Sequence, residues 1–355
     1  MIFLDANAFY SYFGRDRLGM TSTPVDEAVL TKFLEQRNDK SIPTSVYVEI
    51  VTHFRNSPDK LLEIVKFMRN KNLRLYNNIP DYIVDDVELT CVNMMSKEHL
   101  CNYSQKLLRK KIEIESRFTL LFFEITKDLY THYKLTTSNV LSEDNKKSIL
   151  DYIGRKGYKE YGKTLEEKIK GELDSGYEEN KEQKVLKDFY IHELNEWCVF
   201  VDMIIAGCEA CKDESTDLIE IMQNAYQNAI AAGMDGMNGT MPCIVDVLSI
   251  DSLFLQDAKT KIAKMFAKAG YSKTQRIYMR EVMFTAWFER GQKLQKNDIF
   301  DMFCVGCLDA KECEKKQCVL IDTTSYILSF DKRMKRFLGS VRAHNLKIIE
   351  ELENA

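Results

Sequence analysis

Short apolar runs alternate with amphipathic stretches of helical period over residues 1–80. Ile2–Leu4 reads as a strand. Thr23 reads as the cap of a helix with Pro24 at its first position and Asp26 and Glu27 in its first turn, where the helix dipole favours acids. A strand near Ser41–Thr44 leads to Ser45 as the cap of a helix over Val46–Phe54. Ser57-Pro58 opens another helix, with Leu61, Leu62, Val65 and Met68 on one stripe, and Leu73–Tyr76 reads as a third strand. Strands separated by helices at this spacing imply right-handed crossovers and a parallel sheet.

From Pro80 the pattern becomes helical, with little strand signal until Lys273. Phe118, Leu121, Phe122, Ile125 and Leu129 form one stripe. A second runs from Tyr190 through Leu194, Trp197 and Val201 to Cys208. A third runs from Leu218 to Ala229, with Gly233 as a C-terminal cap. These stripes are core-forming faces and carry no chemistry of their own. Tyr152–Glu182 is polar and reads as an exposed segment. Alternation then returns: helices over Ile277–Leu294 and Asp298–Leu308, strands at Val319–Ile321 and Tyr326–Phe330, and a short helix over Lys332–Leu338. The expected architecture is one α/β domain, a parallel-sheet core with helices on both faces, built from residues 1–80 and 272–355. A large all-helical insertion, 81–271, interrupts it.

A chain of 355 residues is long enough for such a core plus a second module. Its 45% hydrophobic and 29% charged residues are those of a globular protein. No apolar run approaches the roughly eighteen residues of a membrane span, so no membrane association is expected. Asp5 interrupts the apolar start, which argues against a secretory leader. Ten Cys are too sparse for a disulfide scaffold, so reduced thiols and a cytoplasmic location are expected.

The chemistry lies in acids at the tips of apolar elements. Asp5 ends the first strand and Asp331 follows Tyr326–Phe330, while Glu49 sits in an otherwise apolar helix. Asp298 and Asp301 share one helix face. In open parallel sheets, side chains beyond the carboxyl ends of strands converge on one crevice. Carboxylates brought together repel unless a cation neutralises them. Oxygen ligands without matched Cys or His spacing favour Mg²⁺ or Mn²⁺, which in pairs promote phosphodiester hydrolysis.

Singly, these acids have plainer readings. Asp5 and Asp331 suit strand-end turns and Asp298 suits a helix cap. Asp322 ends an apolar run and competes with Asp331, and His53 suits an exposed position one turn from Glu49. Cys304-Val-Gly-Cys307 with Cys313 and Cys318 offers four thiolates for zinc. The first pair, however, falls in the apolar helix of Asp301, where thiols act as small hydrophobes.

Taken in order, the motifs resemble those of PIN-domain nucleases. Asp5-Ala6-Asn7-Ala8-Phe9 is similar to the family's opening motif, and Ser45-Val46-Tyr47-Val48-Glu49-Ile50 to its second. Asn297-Asp298-Ile299-Phe300-Asp301-Met302-Phe303 resembles the third, and Ser329-Phe330-Asp331-Lys332 the fourth. The resemblance covers residues 1–80 and 272–355 only. It implies a PIN-like fold and Asp5, Glu49, Asp301 and Asp331 as catalytic metal-binding acids. Asp298 is a possible additional ligand, and Asn7 and Ser329 are supporting residues. It further implies Mg²⁺ or Mn²⁺ as cofactor and an endoribonuclease activity.

Lys332, Arg333, Lys335 and Arg336 follow Asp331 directly and are the expected nucleic-acid contacts. Lys106, Arg109, Lys110 and Lys111 form a second basic cluster. RNA is the expected partner ahead of DNA, with the insertion as lid, specificity module or surface for a protein partner or inhibitor. Two alternatives stay open: a structure-specific DNA nuclease, and a catalytically silent scaffold that binds a protein through the insertion.

Overall fold

The computed structural model describes residues 1–20, 27–79, 92, 94–139, 141–151, 194, 197–210, 218, 220–225, 228, 252–288, 298–309, 326–342 and 346–348. The chain divides into two compact units. One comprises Met1–Glu115 with Ile262–Ala355, and the other Ser116–Lys261.

The first unit is built on a five-stranded sheet in the order β3-β2-β1-β4-β5. The strands are β1 (Ile2–Leu4), β2 (Lys40–Pro43), β3 (Arg74–Tyr76), β4 (Tyr326–Ser329) and β5 (Leu346–Ile348). Every neighbouring pair is parallel. The β1 side chains are buried throughout, as a central parallel strand covered on both faces requires. From β1 the chain steps outward to β2 and β3, and it returns on the other side of β1 for β4 and β5. The direction of winding therefore reverses between β1 and β4. Crevices for ligands open at such a switch point, beyond the carboxyl ends of the strands.

Helices α1 (Ala6–Phe13), α2 (Arg15–Leu18) and α3 (Glu27–Glu35) connect β1 to β2, and α4 (Thr44–His53) and α5 (Pro58–Asn70) connect β2 to β3. The apolar stripe predicted on α5 is largely real, since Leu61, Val65 and Met68 are buried. Helix α4 begins at Thr44, two positions ahead of the expected start. Helix α1 was not legible as a helix, although Asp5 caps it: Asp5 Oδ1 accepts from Ala8 N at 2.6 Å. Gly14, at φ 105°, ends α1, and its N–H reaches Tyr10 O at 3.0 Å. The expected cap at Thr23 and the strand at Val319–Ile321 lie outside the described residues.

The long helix α6 (Lys97–Thr137) begins in the first unit, where Tyr47 and Tyr103 hydroxyls lie 3.1 Å apart. Helix α7 (Ser252–Lys268) leads back to that unit, followed by α8 (Lys273–Phe288), α9 (Asp298–Gly306) and, after β4, α10 (Lys332–Arg342). Helix α8 packs against both α9 and α10. Its first turn is tied to the turn after α9, because Thr274 Oγ1 donates to Asp309 Oδ1 at 2.7 Å. Strand β5 has no counterpart among the predicted elements.

The described part of the second unit is helical. Its core gathers residues of the predicted stripes, among them Leu194, Val201, Ile204 and Met222. Trp197 Nε1 donates to Thr131 Oγ1 at 3.0 Å, and Lys127 Nζ lies 4.4 Å from the centre of the Trp197 ring. Among the described residues no helix is long and apolar enough to cross a membrane.

Candidate active site

Parallel pairing of β1 with β4 brings the first and last motifs side by side, and Asp5 N donates to Leu328 O at 3.2 Å. Ser329 links the two acids. Its hydroxyl donates to Asp5 Oδ2 and accepts from Asp331 N, the latter at 2.9 Å. Asp331 in turn caps α10: Oδ1 accepts from Arg333 N at 2.7 Å and from Met334 N at 3.2 Å. Each strand thus ends in an aspartate that starts the next helix, and one oxygen of each is fixed by backbone N–H groups.

Asp5 is buried, and burial pushes its carboxyl from 3.8 up to about 7. The bonds from Ser329 and Ala8 oppose that rise, while repulsion from Glu49 and Asp331 adds to it. Asp301, on α9, is half-buried. Burial raises its carboxyl well above the ordinary range, and repulsion from Asp331, Glu49, Asp5 and Asp298 contributes further. Among the described residues no hydrogen bond or ion pair compensates Asp301. The acids of all four motifs therefore share one neighbourhood and feel one another's charge. No three of the described His, Cys, Asp or Glu side chains, however, are grouped closely enough to hold one metal ion as they stand.

Other expected site residues have different surroundings. Asp298 is buried and paired with Arg333: Nη1 lies 3.2 Å from Oδ1, and Nη2 donates to Oδ2 at 3.3 Å. This pair occupies both the additional acid and one of the four cations expected to meet nucleic acid. Arg333 also lies over the Phe337 ring, 5.0 Å from its centre. Lys332 and Arg336 are exposed and Lys335 is half-buried. Asn7 is exposed in the first turn of α1, and among the described residues no hydrogen bond joins it to the acids. His53 is exposed and packs beside Phe54 at 4.7 Å.

In the second basic cluster, Lys110 pairs with Glu113 at 3.1 Å, and Lys111 lies 3.9 Å from Glu115 and 5.3 Å from the Phe300 ring centre. Lys106 and Arg109 are exposed. Cys304 and Cys307 are buried free thiols, and burial raises both well above the ordinary thiol range. Cys313, Cys318 and Asp322 lie outside the described residues.

Two residues that the motifs did not single out help to build the site. Asn78, just after β3, accepts from Ser45 N at 2.9 Å and donates to Ser45 Oγ and Phe303 O, each at 2.8 Å. One side chain so joins the helix of Glu49 to the helix of Asp301. Tyr278, on α8, is wholly buried, and its hydroxyl has no hydrogen-bond partner among the described residues. Burial, then the charges of Asp301, Asp298 and Asp331, hold that hydroxyl in its neutral form. Asn78 carried only a generic turn signal, and nothing in its helical context marked Tyr278.

No family model, curated protein or solved structure matches the chain.

Proposed function

We propose that this chain is a metal-dependent nuclease of the PIN type, which hydrolyses phosphodiester bonds and prefers RNA to DNA. The observation that carries the reading is the convergence of Asp5, Glu49, Asp301 and Asp331 from distant stretches of sequence beside the switch point of a parallel sheet. The donor set consists of hard oxygens, which suits Mg²⁺ or Mn²⁺. Burial and its acidic neighbours disfavour the charged form of Asp301, and a cation at this place would relieve that cost. Asp5, Glu49, Asp301 and Asp331 would hold it, with Asp298 retained by Arg333. Bound there, the metal supplies an activated water and neutralises charge on the phosphate oxygens.

The chain's own contribution is to fix the acids. Ala8 N and the Ser329 hydroxyl engage the two oxygens of Asp5. The α10 backbone holds Asp331 Oδ1 and leaves Oδ2 without a hydrogen-bond partner among the described residues. Asn78 fixes the separation of the helices that carry Glu49 and Asp301.

The test is cleavage of single-stranded RNA in Mg²⁺ or Mn²⁺. A chelator should abolish it, and Asp301→Asn should lower the rate at least about a hundredfold without loss of fold. Full activity in excess chelator would refute the metal reading. A second reading, a catalytically silent scaffold, is favoured because, among the described residues, no three such side chains form a group that could hold an ion as they stand. Folded protein that cleaves neither RNA nor DNA in either metal would select it.

A further inference from the structure

Arg15 lies outside every motif, yet it packs against two of the segments that carry acids of the site. Gly14 turns the chain at the end of α1, so Arg15 opens α2 beside its own preceding helix. Its backbone N–H donates to Glu27 Oε1 at 3.3 Å, and its Nε donates to Ser11 Oγ at 2.9 Å. The guanidinium carbon lies 5.5 Å from the centre of the Phe330 ring. Phe330 is the residue between Ser329 and Asp331, and Ser11 lies on the helix that Asp5 caps. One edge and one face of the guanidinium are therefore anchored to the segments that carry two of the acids.

The rest of the group is uncommitted. Among the described residues no carboxylate forms an ion pair with Arg15, and no hydrogen bond reaches Nη1 or Nη2. Arg333 makes the contrast, because its terminal nitrogens are engaged by Asp298. A half-buried guanidinium held at Nε and stacked on an aromatic ring has lost much of its rotamer freedom. The remaining nitrogens are a planar fork of the geometry that grips phosphate oxygens in pairs. Anchored to segments shared with Asp5 and Asp331, such a fork supplies attraction for a polyanion that the acids themselves repel.

We propose that Arg15 is a phosphate-binding residue of this site, which seats the sugar–phosphate backbone of a nucleic-acid strand against the acid cluster. The assignment rests on the nuclease reading and adds to it the group that holds the substrate.

The experiment measures binding of a labelled single-stranded RNA oligonucleotide to Asp301→Asn protein in Mg²⁺, by fluorescence anisotropy between 50 and 200 mM KCl, roughly the range over which phosphate contacts are resolved. Added Arg15→Met should weaken binding about tenfold and lower the slope of log K against log salt by about one. Arg15→Gln, which keeps a donor toward Ser11, should show the same loss, so the result does not depend on one variant's fold. Arg15→Lys should restore the slope but only part of the affinity. Unaltered affinity and slope in both neutral variants, with cleavage by the unmodified chain intact, would overturn the role of Arg15 and leave the nuclease reading standing. An unmodified chain that neither binds nor cleaves nucleic acid overturns both.

Discussion

Replacing Asp5 by Asn tests whether the acid cluster is strained in the way its geometry implies. The Asp5 carboxyl stands at about 7 in the folded chain against an ordinary 3.8. An acid raised on folding contributes stability that is fully present below the unfolded value and is lost as pH climbs through the folded value. Between pH 4 and 7, then, the folded state loses about 4 kcal/mol at this one group, taking about 1.36 kcal/mol per unit. Asparagine removes the titration and conserves the shape. It caps helices about as well as aspartate, so the bond from Ala8 N survives. The Oδ2 position becomes an amide NH2, which cannot accept from Ser329, so that hydroxyl must turn and accept from it instead, at a cost of about 1–2 kcal/mol.

The net expectation in chelator is a gain of about 2 kcal/mol for Asp5→Asn at pH 8, shrinking to nothing or reversing near pH 4. Urea unfolding followed by circular dichroism at several pH values reads this directly. Adding Mg²⁺ at pH 8 should reverse the order, because a ligand of the folded state stabilises only the protein that binds it. Parallel pH dependences for the two proteins would refute the electrostatic reasoning. A parent that gains nothing from Mg²⁺ or Mn²⁺ would count against the metal site.

Two further perturbations address how the acids are held. Asn78→Ala removes three hydrogen bonds and leaves the Phe303 carbonyl without this donor, so unfolding measurements should show a loss of about 2–4 kcal/mol; a loss below about 0.5 kcal/mol would deny that Asn78 ties the helices of Glu49 and Asp301 together. Arg333→Met strands the buried Asp298 and should cost about 3–5 kcal/mol, much of it recovered in the double variant with Asp298→Asn; additive losses in that double-mutant cycle would contradict the pairing.

The parts of the fold that were legible share a local cause. Ile2–Leu4 is apolar at every position, and Arg74–Tyr76 falls within the stretch expected as the third strand. The α5 stripe repeats at helical spacing, so periodicity alone located these elements. Helix α1 is hidden in the sequence because Asp5 stands out as the end of an apolar strand, whereas it is also the cap of the helix that follows. Strand β5, Leu-Lys-Ile, is too short to carry a pattern; its pairing with β4 defines it.

The acids themselves could be named from sequence because a carboxylate at the end of an apolar run is conspicuous. What each one does with its oxygens could not be read. Asp298 and Asp301 are equivalent in spacing, and only the folded chain distinguishes them: Arg333, from the far side of a strand and a long connection, takes the first and leaves the second uncompensated. The same pairing occupies Arg333, one of the four basic residues that follow Asp331. Arg15, without an ion pair among the described residues, lies in a stretch outside all four motifs. Its place follows from a glycine bend, a serine one helical turn back and a phenylalanine more than 300 residues away. Tertiary pairing thus decides which charges in this chain are spent and which remain to meet a ligand, and local pattern has no access to that choice.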